Sequence, residues 1–454
     1  MQRLLRFSCL AWVSTCAWAL GHLGTACAAE EAPAATAATA ESAEPYSLHA
    51  QATSVTQRQG SFRSPYQGDN SLTPQRSQKE TADITAYLGL RLWPGGALYV
   101  NPELDHGFGL SNTLGVAGFP SGEAYKVGKN KPYWKLPRLF VRQVVNLGGE
   151  ASAVEAGPNA LAGEVSQDSL TWTVGKFSVV DIFDANSYAH DARGDFLNWA
   201  VIDAGAFDYA ADAWGFTQGA SADWKTGDWS LRAGLFALST VPNSTHIDSS
   251  FGQRSGVAEL ERRYQWSGKS GTARLLLYVN EGRMGRYDDA VALGAQQGTV
   301  PDTAQVRRHG RKSGMALNLE QELAPELGGF LRWSRSNGGQ EAFEFTEINQ
   351  SVSGGGALKG ASWGQPGHTW GVAFAVNALS GPAIRYFGAG GIGILIGDGR
   401  LPHYGQEQIF ETYYRVNLGK ALSLTGDFQH IAHPAYNRDR GPVNISSLRL
   451  HAEI

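Results

Sequence analysis

Residues 446–454 have the sequence Ser446-Ser447-Leu448-Arg449-Leu450-His451-Ala452-Glu453-Ile454. Leu448, Leu450, Ala452 and Ile454 alternate with polar or charged residues. A period of two is that of an extended strand, whose successive side chains point to opposite faces. One face of this strand is therefore apolar and the other is polar. About sixteen segments of this kind follow one another along the chain, a pattern typical of a β-barrel embedded in a membrane.

The composition limits the classes of protein to which this chain can belong. Charged residues make up 18% and apolar residues 42% of the 454 residues, and aromatic residues make up 11%. Such a chain is too polar for a helical membrane protein and too aromatic for a disordered one. The net charge of −4 is close to balance. The bulk charge therefore indicates neither a nucleic-acid partner nor a strongly anionic substrate.

Residues 1–28 have the pattern of a cleaved signal peptide. Arg3 and Arg6 precede an apolar stretch from residue 7 to residue 20, and Ala26-Cys27-Ala28 offers a small-residue cleavage site. We expect cleavage near Ala28 or Ala29 and export from the cytoplasm. A transmembrane anchor and a lipoprotein attached at Cys27 are the alternatives.

The remaining sequence predicts a lead-in and one folded domain. Cys9, Cys16 and Cys27 all lie in the predicted signal, so we expect no disulfide, thiol catalysis or cysteine-based zinc site in the mature chain. Residues 29–45 are mostly Ala, Glu, Thr, Ser and Pro and are predicted to be disordered. In the predicted domain, residues 46–454, no apolar run approaches the ~18 to 20 residues that a spanning helix requires. A location in a membrane would therefore require a closed barrel.

The predicted strands alternate between short and long connections. The clearest strand runs from Thr81 to Leu92, with apolar even-numbered residues and Asp83 and Tyr87 on the opposite face. Trp93-Pro94-Gly95-Gly96 then forms a turn. The other strands are predicted near residues 46–57, 97–104, 138–146, 170–177, 216–224, 229–236, 259–266, 272–280, 313–322, 328–334, 342–361, 369–377, 406–418, 422–430 and 443–454.

Two long stretches are predicted to be loops. One runs from Asp105 to about Pro137. The other is Ser380 to Gly405, although residues 388–396 on their own resemble a strand. Counting them as a strand would place the tight turn Gly419-Lys420-Ala421 at the long-loop end. The loop assignment keeps the number of strands even, as single-chain bacterial barrels require.

Tryptophans are placed as expected for a barrel in lipid. They fall at or near the ends of predicted strands, where indole rings favour the boundary between membrane and water. A soluble β-sandwich with these rings in its core is the alternative, but the export signal and the alternating last strand argue against it. The tryptophans concerned are Trp93, Trp172, Trp224, Trp229, Trp266, Trp333 and Trp370.

Several motifs, in their order along the chain, resemble the carbohydrate-selective porins of the OprB type. The likeness extends from about Tyr46 to Ile454. It implies an all-β, antiparallel up-and-down transmembrane barrel of about sixteen strands, with long extracellular loops, that conducts sugars across the bacterial outer membrane. The chain departs from outer-membrane barrels in ending with Ile454 rather than an aromatic residue. The motifs are Gly175-Lys176-Phe177-Ser178-Val179-Val180-Asp181-Ile182-Phe183-Asp184, Tyr188-Ala189-His190-Asp191, Phe196-Leu197-Asn198-Trp199-Ala200, Phe207-Asp208-Tyr209-Ala210-Ala211-Asp212, Gly397-Asp398-Gly399, Glu411-Thr412-Tyr413-Tyr414 and Asn437-Arg438-Asp439-Arg440-Gly441-Pro442-Val443.

The third long loop, Ser178 to Gly215, is the segment that the resemblance predicts to constrict the pore. Carboxylates and guanidinium groups side by side can replace the hydration that a sugar loses, since its hydroxyls both donate and accept hydrogen bonds. Tyr188 and Trp199 offer aromatic faces for the apolar face of a sugar ring. Alternatively, each acid caps a turn or a short helix at about Ala192 to Val201. The charged residues of the loop are Asp181, Asp184, Asp191, Arg193, Asp195, Asp203, Asp208 and Asp212.

Charged residues on the polar faces of strands are the second group of candidates. A charge that faces a water-filled lumen costs little, whereas an arginine facing lipid at the mid-plane costs about 2–4 kcal/mol. Alternation therefore predicts that these side chains point inward, either as solvated wall residues or as sugar contacts. They are Glu103, Arg138, Arg142, Glu411, Arg415, Asp427 and Arg449.

No motif indicates catalysis, a metal site or a cofactor. Residues 388–393 match a dinucleotide fingerprint but lack a surrounding βαβ unit. Asp181, Asp184 and Asn186 offer oxygen ligands, but their spacing is not that of an EF-hand calcium loop. We therefore expect a protein that is not an enzyme and that needs neither metal nor cofactor.

The sequence favours passive diffusion of mono- or small oligosaccharides through a water-filled pore. A general, non-selective porin is the nearest alternative, and a surface enzyme or a receptor that uses the long loops is a further one. The expected partners are small sugars and outer-membrane lipid, with no nucleic acid. Both monomers and homo-oligomers are compatible with the pattern.

Overall fold

The alternating segments form a closed barrel. In the computed structural model, residues 44–124 and 127–454 are described. Within them, sixteen antiparallel strands pair with their sequence neighbours, and the first strand pairs with the last. The predicted signal peptide and nearly all of the predicted lead-in lie outside the described residues. The predicted strand number and the up-and-down topology are confirmed.

The strands extend slightly beyond most of their predicted bounds. They are β1 Tyr46–Gln59, β2 Ser77–Trp93, β3 Gly96–Gly107, β4 Lys129–Val154, β5 Gly163–Phe177, β6 Thr217–Thr226, β7 Trp229–Ala237, β8 Arg254–Trp266, β9 Lys269–Met284, β10 Arg308–Ala324, β11 Leu327–Ser336, β12 Gln350–Lys359, β13 His368–Ala378, β14 Glu407–Asn417, β15 Leu422–Ala432 and β16 Val443–Glu453.

The two faces of each strand meet different surroundings. On β16, the Leu448 side chain is 54% exposed on the outer wall, whereas Arg449 points into the lumen and is 1% exposed. On β2, Leu88 faces outward, and Asp83 and Tyr87 are buried inside. The period of two therefore sends apolar side chains towards the outside of the barrel and polar side chains towards the lumen.

Long and short connections alternate as predicted. The long ones are residues 60–76, 108–128, 178–216, 238–253, 285–307, 337–349, 379–406 and 433–442. The short ones at the opposite end are residues 94–95, 155–162, 227–228, 267–268, 325–326, 360–367 and 418–421. Residues 388–396 lie in a long loop and not in a strand, so the assignment made from parity is correct.

Two predicted segments, one loop and one strand, had wrong boundaries. The predicted loop at 105–137 is shorter, because β3 continues to Gly107 and β4 begins at Lys129. The predicted strand at 342–361 begins only at Gln350. Residues 342–349 form a buried loop instead, since the backbone N–H groups of Phe343 and Glu344 donate to the Asp208 carboxylate rather than to a neighbouring strand.

Helices are short and lie in the long loops. They are α1 Trp199–Ile202, α2 Tyr287–Gln297 and α3 Gly381–Gly388, with 3-10 turns at Leu110–Asn112, Val179–Asp181, Thr303–Val306, Gly360–Trp363 and Pro434–Tyr436. The helix predicted at 192–201 is thus reduced to α1, whose Asn198 cap accepts a hydrogen bond from the Ala200 N–H. No helix in residues 44–124 and 127–454 is long and apolar enough to cross a membrane.

The long loops pack their apolar side chains inside the barrel. Phe183, Phe196 and Phe207 of the third long loop are almost fully buried and join an apolar cluster with rings of the barrel wall, such as Phe236. Tyr287 of α2 packs against α3 of another loop. The core of this protein therefore lies within the lumen at the long-loop end.

Tryptophans mark the short-turn end of the outer wall. Trp93, Trp224, Trp229, Trp266 and Trp370 are exposed there, within three residues of a strand end. Trp172 lies at the same level along the barrel axis as Trp93. Gln143 pairs with Trp172 on the neighbouring strand and accepts a hydrogen bond from the Trp93 indole. Trp333 is also three residues from a strand end, but at the long-loop end of β11.

Candidate functional site

The third long loop, residues 178–216, is attached to the inner wall on the far side of the lumen. It leaves the wall after β5, and its Asp184 carboxylate accepts hydrogen bonds from Asn318 on β10 at 2.7 Å and Arg332 on β11 at 3.2 Å. The Arg332 guanidinium also donates to the carbonyl oxygens of Ala189 and Val201. The loop that leaves the wall after β5 is therefore held by side chains of β10 and β11.

The predicted wall residues of β14 and β16 hold the same loop. The Glu411 carboxylate accepts from the backbone N–H groups of Leu197 and Asn198. The Arg449 guanidinium donates to the carbonyl oxygens of Ala192 and Asp195. Both wall side chains are buried, and they serve as anchors of the loop rather than as exposed lumen groups.

Three further predicted residues are also in or near this anchoring region. The Arg415 guanidinium donates to the Gly194 carbonyl oxygen at 3.0 Å. Asp427 accepts hydrogen bonds from Gln429 and Ser447. The Tyr188 ring packs directly on the backbone of Gly328, where a Cβ atom would lie 1.8 Å from the ring. The absence of a side chain at Gly328 thus makes room for this tyrosine.

Between the third loop and the wall of β2 to β4 lies a lumen cavity of about 370 Å³. Six of the predicted residues line it, namely Glu103, Arg138, Asp181, Asp191, Arg193 and Trp199. The other seven, namely Arg142, Asp184, Tyr188, Glu411, Arg415, Asp427 and Arg449, are not part of its lining. We call this space the lumen cavity.

One guanidinium of the third loop joins acids from both sides of the cavity. Arg193 Nη2 lies 3.1 Å from Asp83 Oδ1 on β2 and 3.4 Å from Glu103 Oε2 on β3. Its Nε lies 3.3 Å from Glu123 Oε2 of the second long loop. On the wall, Lys135 Nζ lies 3.1 Å from Glu103 Oε1. Two cations, Arg193 and Lys135, are thus shared among the three acids Asp83, Glu103 and Glu123.

A second ion pair joins the wall to the beginning of the third loop. Arg138 on β4 donates two hydrogen bonds to the Asp181 carboxylate, at 2.7 and 2.6 Å. Asp181 also caps a 3-10 turn by accepting from the Ser178 N–H at 3.0 Å. Burial raises the pKa of the Asp181 carboxyl, but the charge and hydrogen bonds of Arg138 outweigh it, so the pKa lies below its ordinary value.

Asp203, another acid of the cavity lining, has a pKa that is shifted in the opposite direction from that of Asp181. Burial, together with the nearby Asp184 charge, raises the pKa of the Asp203 carboxyl to about 8. Its Oδ1 lies 3.9 Å from His190 Nδ1 and accepts no hydrogen bond from the described residues. Asp203 is therefore a polar group of the lining that is largely uncharged at neutral pH.

Aromatic rings form the remaining side of the cavity. Trp199 is stacked between Phe119, with ring centroids 5.0 Å apart, and Phe345, at 4.7 Å. Both of its faces are covered, so it offers an edge to the cavity rather than a face. Tyr87 and Phe216 also line the cavity.

The sequence did not single out several lining residues. The alternation placed Tyr87 on the polar face of β2, so its inward direction was predictable. Its proximity to Arg138, however, depends on the register with which the strands of the barrel pair. Glu123, His190 and Asp203 are brought in by loops whose paths have no periodic signal. For Asp203, its position among the loop acids was the only available indication.

Comparisons with known proteins agree with this architecture. The family profile described as "Carbohydrate-selective porin, OprB family" matches residues 69–453. Porin AaxA of Chlamydia abortus (strain DSM 27085 / S26/3) is 21% identical over 369 residues, which cover 78% of this chain and 70% of the relative. Porin AaxA of Chlamydia caviae is 22% identical over 370 residues, covering 78% and 69%. Among solved structures, Pseudomonas putida OprB has a similar fold, with a TM-score of 0.67 at 14% identity over 90% of this chain and 94% of that chain.

Proposed function

The chain belongs to the OprB family of carbohydrate-selective porins, and from this membership we propose that its lumen cavity selects mono- and small oligosaccharides for passive diffusion across the outer membrane. Family and fold are those of outer-membrane channels. The barrel supplies a polar lumen, and the third loop supplies the narrow part. We further propose that Glu103, Arg138, Asp181, Asp191 and Arg193 are the groups that a permeating sugar meets.

The ion pairs of the lumen cavity carry this proposal. Arg138 is paired with Asp181, and Arg193 lies among Asp83, Glu103 and Glu123. Paired groups attract ions less than isolated charges do, yet their oxygens and N–H groups remain able to exchange hydrogen bonds with hydroxyls. Such a surface is suited to a neutral solute with many hydroxyl groups.

The rings beside these charges support the same substrate class. Tyr87 and Phe216 line the cavity together with the Arg138 guanidinium, which lies 5.1 Å from the centre of the Phe216 ring. A sugar ring has polar edges and apolar C–H faces. A lining with charged groups next to aromatic groups can contact both kinds of surface.

Liposome swelling with the purified protein tests the proposal. We expect monosaccharides to enter faster than amino acids of equal size, and added sugar to reduce ion conductance in a planar bilayer. Arg193→Ala is the informative variant, because it leaves three carboxylates without their common partner and should reduce the preference for sugars. Equal entry rates for sugars and amino acids in the wild type would instead assign the protein as a general porin.

A surface enzyme is the rival from another class. The protein's family consists of channels, and we propose that it has no catalytic activity of its own. A hydrolytic activity that is lost on changing a single serine would contradict this.

For export, we propose removal of residues 1–28, and N-terminal sequencing of the protein from outer membranes should find a start near Ala28 or Ala29.

A further inference from the structure

The hairpin of β4 and β5 extends past the short-turn rim of the barrel. β3 pairs with β4 as far as Gln143, and β6 pairs with β5 as far as Ser169. Beyond these positions the hairpin strands pair with each other, for example at Ala151 with Ser166. Residues 147–168 are therefore a two-stranded extension that is not needed to close the barrel wall.

The end of this extension is a tight turn. The backbone groups of Gly157 and Ala160 exchange hydrogen bonds of 3.1 and 2.9 Å. Asn159 has a φ of 57°, a left-handed conformation that asparagine tolerates better than most residues. We call residues 155–162 the hairpin tip.

The hairpin tip is folded back into the lumen and held by wall residues of β1, β2 and β4. Arg91 donates to the Ala162 carbonyl oxygen at 2.7 Å, and Arg142 donates to the Asn159 carbonyl oxygen at 2.9 Å. A weaker contact of 3.5 Å joins Ser47 Oγ to the Ala160 carbonyl oxygen. The tip thus has fixed contacts with the inner wall and does not hang free below the barrel.

An apolar contact completes the attachment. The Leu161 side chain is 7% exposed and belongs to the apolar cluster that includes Tyr99 of the inner wall. Leu161 Cδ2 would lie 3.3 Å from a Cβ atom at Gly89, so the bare backbone of Gly89 leaves space for it. Burial of this apolar side chain favours the position of the tip against the inner wall.

The hairpin tip reaches the lumen cavity itself. Pro158 and Asn159 line it together with Arg138 and Asp181, so the tip and the third loop bound the same space. We propose that the hairpin tip is a second constriction, in series with the third loop, and that the side-chain amide of Asn159, a lining residue, contacts the passing solute.

This inference rests on the proposed channel function and adds a specificity-determining element to it. Barrels of this kind have their short turns on the periplasmic side. The third loop would then act on the solute from the extracellular side, and the hairpin tip from the exit side. Size selection would depend on both segments rather than on the third loop alone.

Single-channel conductance in planar bilayers tests the constriction. The variant joins Asn146 to Ser169 by an Asn-Gly turn in place of residues 147–168. The control replaces residues 360–367, at the same rim but outside the cavity lining, by the same turn between Lys359 and His368. Because two comparable resistances in series are reduced to one, we expect about a twofold increase in conductance for the first variant and none for the control.

Point variants test the contact with solute without removing the hairpin. Asn159→Gly keeps the left-handed backbone and removes the side-chain amide, whereas Asn159→Asp keeps a hydrogen-bonding side chain of the same size. We expect roughly three- to tenfold weaker block of conductance by sugar in Asn159→Gly and block retained in Asn159→Asp. Equal block in all three proteins would refute the role of Asn159.

The outcomes separate this inference from the proposed function. If the wild type conducts and the shortened variant has the same conductance and the same size limit in liposome swelling, the second constriction is refuted and the channel function stands. If the wild type is closed and the shortened variant conducts, the tip obstructs the pore, and passive diffusion is refuted. If neither protein conducts although both insert, the channel function and this inference both fail.

Discussion

Arg332 on the barrel wall and Asp184 in the third loop form an ion pair that is almost completely buried, with Nε 3.2 Å from Oδ1. The same guanidinium donates to three carbonyl oxygens of the loop, at Asp184, Ala189 and Val201. One wall side chain therefore fixes the loop at widely separated positions. Removing one partner of a buried pair typically costs about 3–5 kcal/mol.

We predict that Arg332→Ala releases the third loop. The expected result is a higher and noisier single-channel conductance, because the loop no longer keeps a fixed position in the lumen. Arg335→Ala is the matched control, since its side chain is exposed on the outer face of the same strand. An unchanged conductance trace for Arg332→Ala would show that other contacts suffice to hold the loop.

Arg138→Ala is predicted to make the pore more selective for cations. Among the described residues that line the lumen cavity, carboxylates already outnumber guanidinium groups, and this change leaves the Asp181 charge without its partner. The reversal potential in a salt gradient measures the effect. The double variant Arg138→Ala with Asp181→Ala should return towards the wild-type value, and failure to do so would mean that the pair does not contact the ion path.

The ion selectivity of the channel should change as pH rises through about 8. Burial, and next the charge of Asp184, raise the pKa of Asp203 to about 8, against the lowering influence of Arg332 and Tyr209. Asp203 gains its negative charge above that pH, so the preference for cations should increase there. Asp203→Asn should remove this step from the pH profile of the reversal potential, and a step that persists would show that Asp203 is not its source.

The same carboxyl predicts a trend in stability. Its pKa in the folded protein lies above the ordinary value of about 3.9, so the folded state binds this proton more tightly than the unfolded chain does. The contribution of Asp203 to the free energy of unfolding is therefore complete below about pH 4 and is lost as pH rises towards 8. Thermal unfolding of wild type and Asp203→Asn should diverge over that interval. Parallel curves would contradict the assignment.

Glu411→Ala is predicted to destabilise the protein. The change leaves the buried N–H groups of Leu197 and Asn198 without their acceptor, at a typical cost of about 1–3 kcal/mol each. Heat-modifiable migration in detergent gels should show a lower unfolding temperature. Gln408→Ala, an exposed position on the same strand, is the control and should behave as wild type.

Much of the barrel was predictable from the sequence because its cause is local. Alternation on strands such as β2 and β16 sets which side chains face lipid, and parity of the connections placed residues 388–396 in a loop. Buried loops were not predictable in the same way. Residues 342–349 look like a strand by composition. Two of their backbone N–H groups, however, donate to the carboxylate of Asp208, which is distant in sequence.

The sequence predicted which region of the chain holds the candidate site, but not which role each residue has there. Charge on inward faces identified both Arg138 and Arg449, yet the first lines the lumen cavity and the second anchors the third loop. The difference depends on the path of a loop of irregular backbone, for which sequence periodicity gives no signal. The hairpin tip was missed for a similar reason, because only three-dimensional contacts show that residues 155–162 turn inward.

The pairing of β1 with β16 joins residues that are far apart in the chain, such as Thr53 and His451, whose separation is 398 residues. Until β16 has been made, both ends of the sheet are open edges with unpaired backbone groups, which favour aggregation. A product truncated anywhere before residue 443 would keep both edges. The barrel wall can therefore close only after β16 has been synthesised. Proteases and chaperones would recognise incomplete chains by their exposed sheet edges.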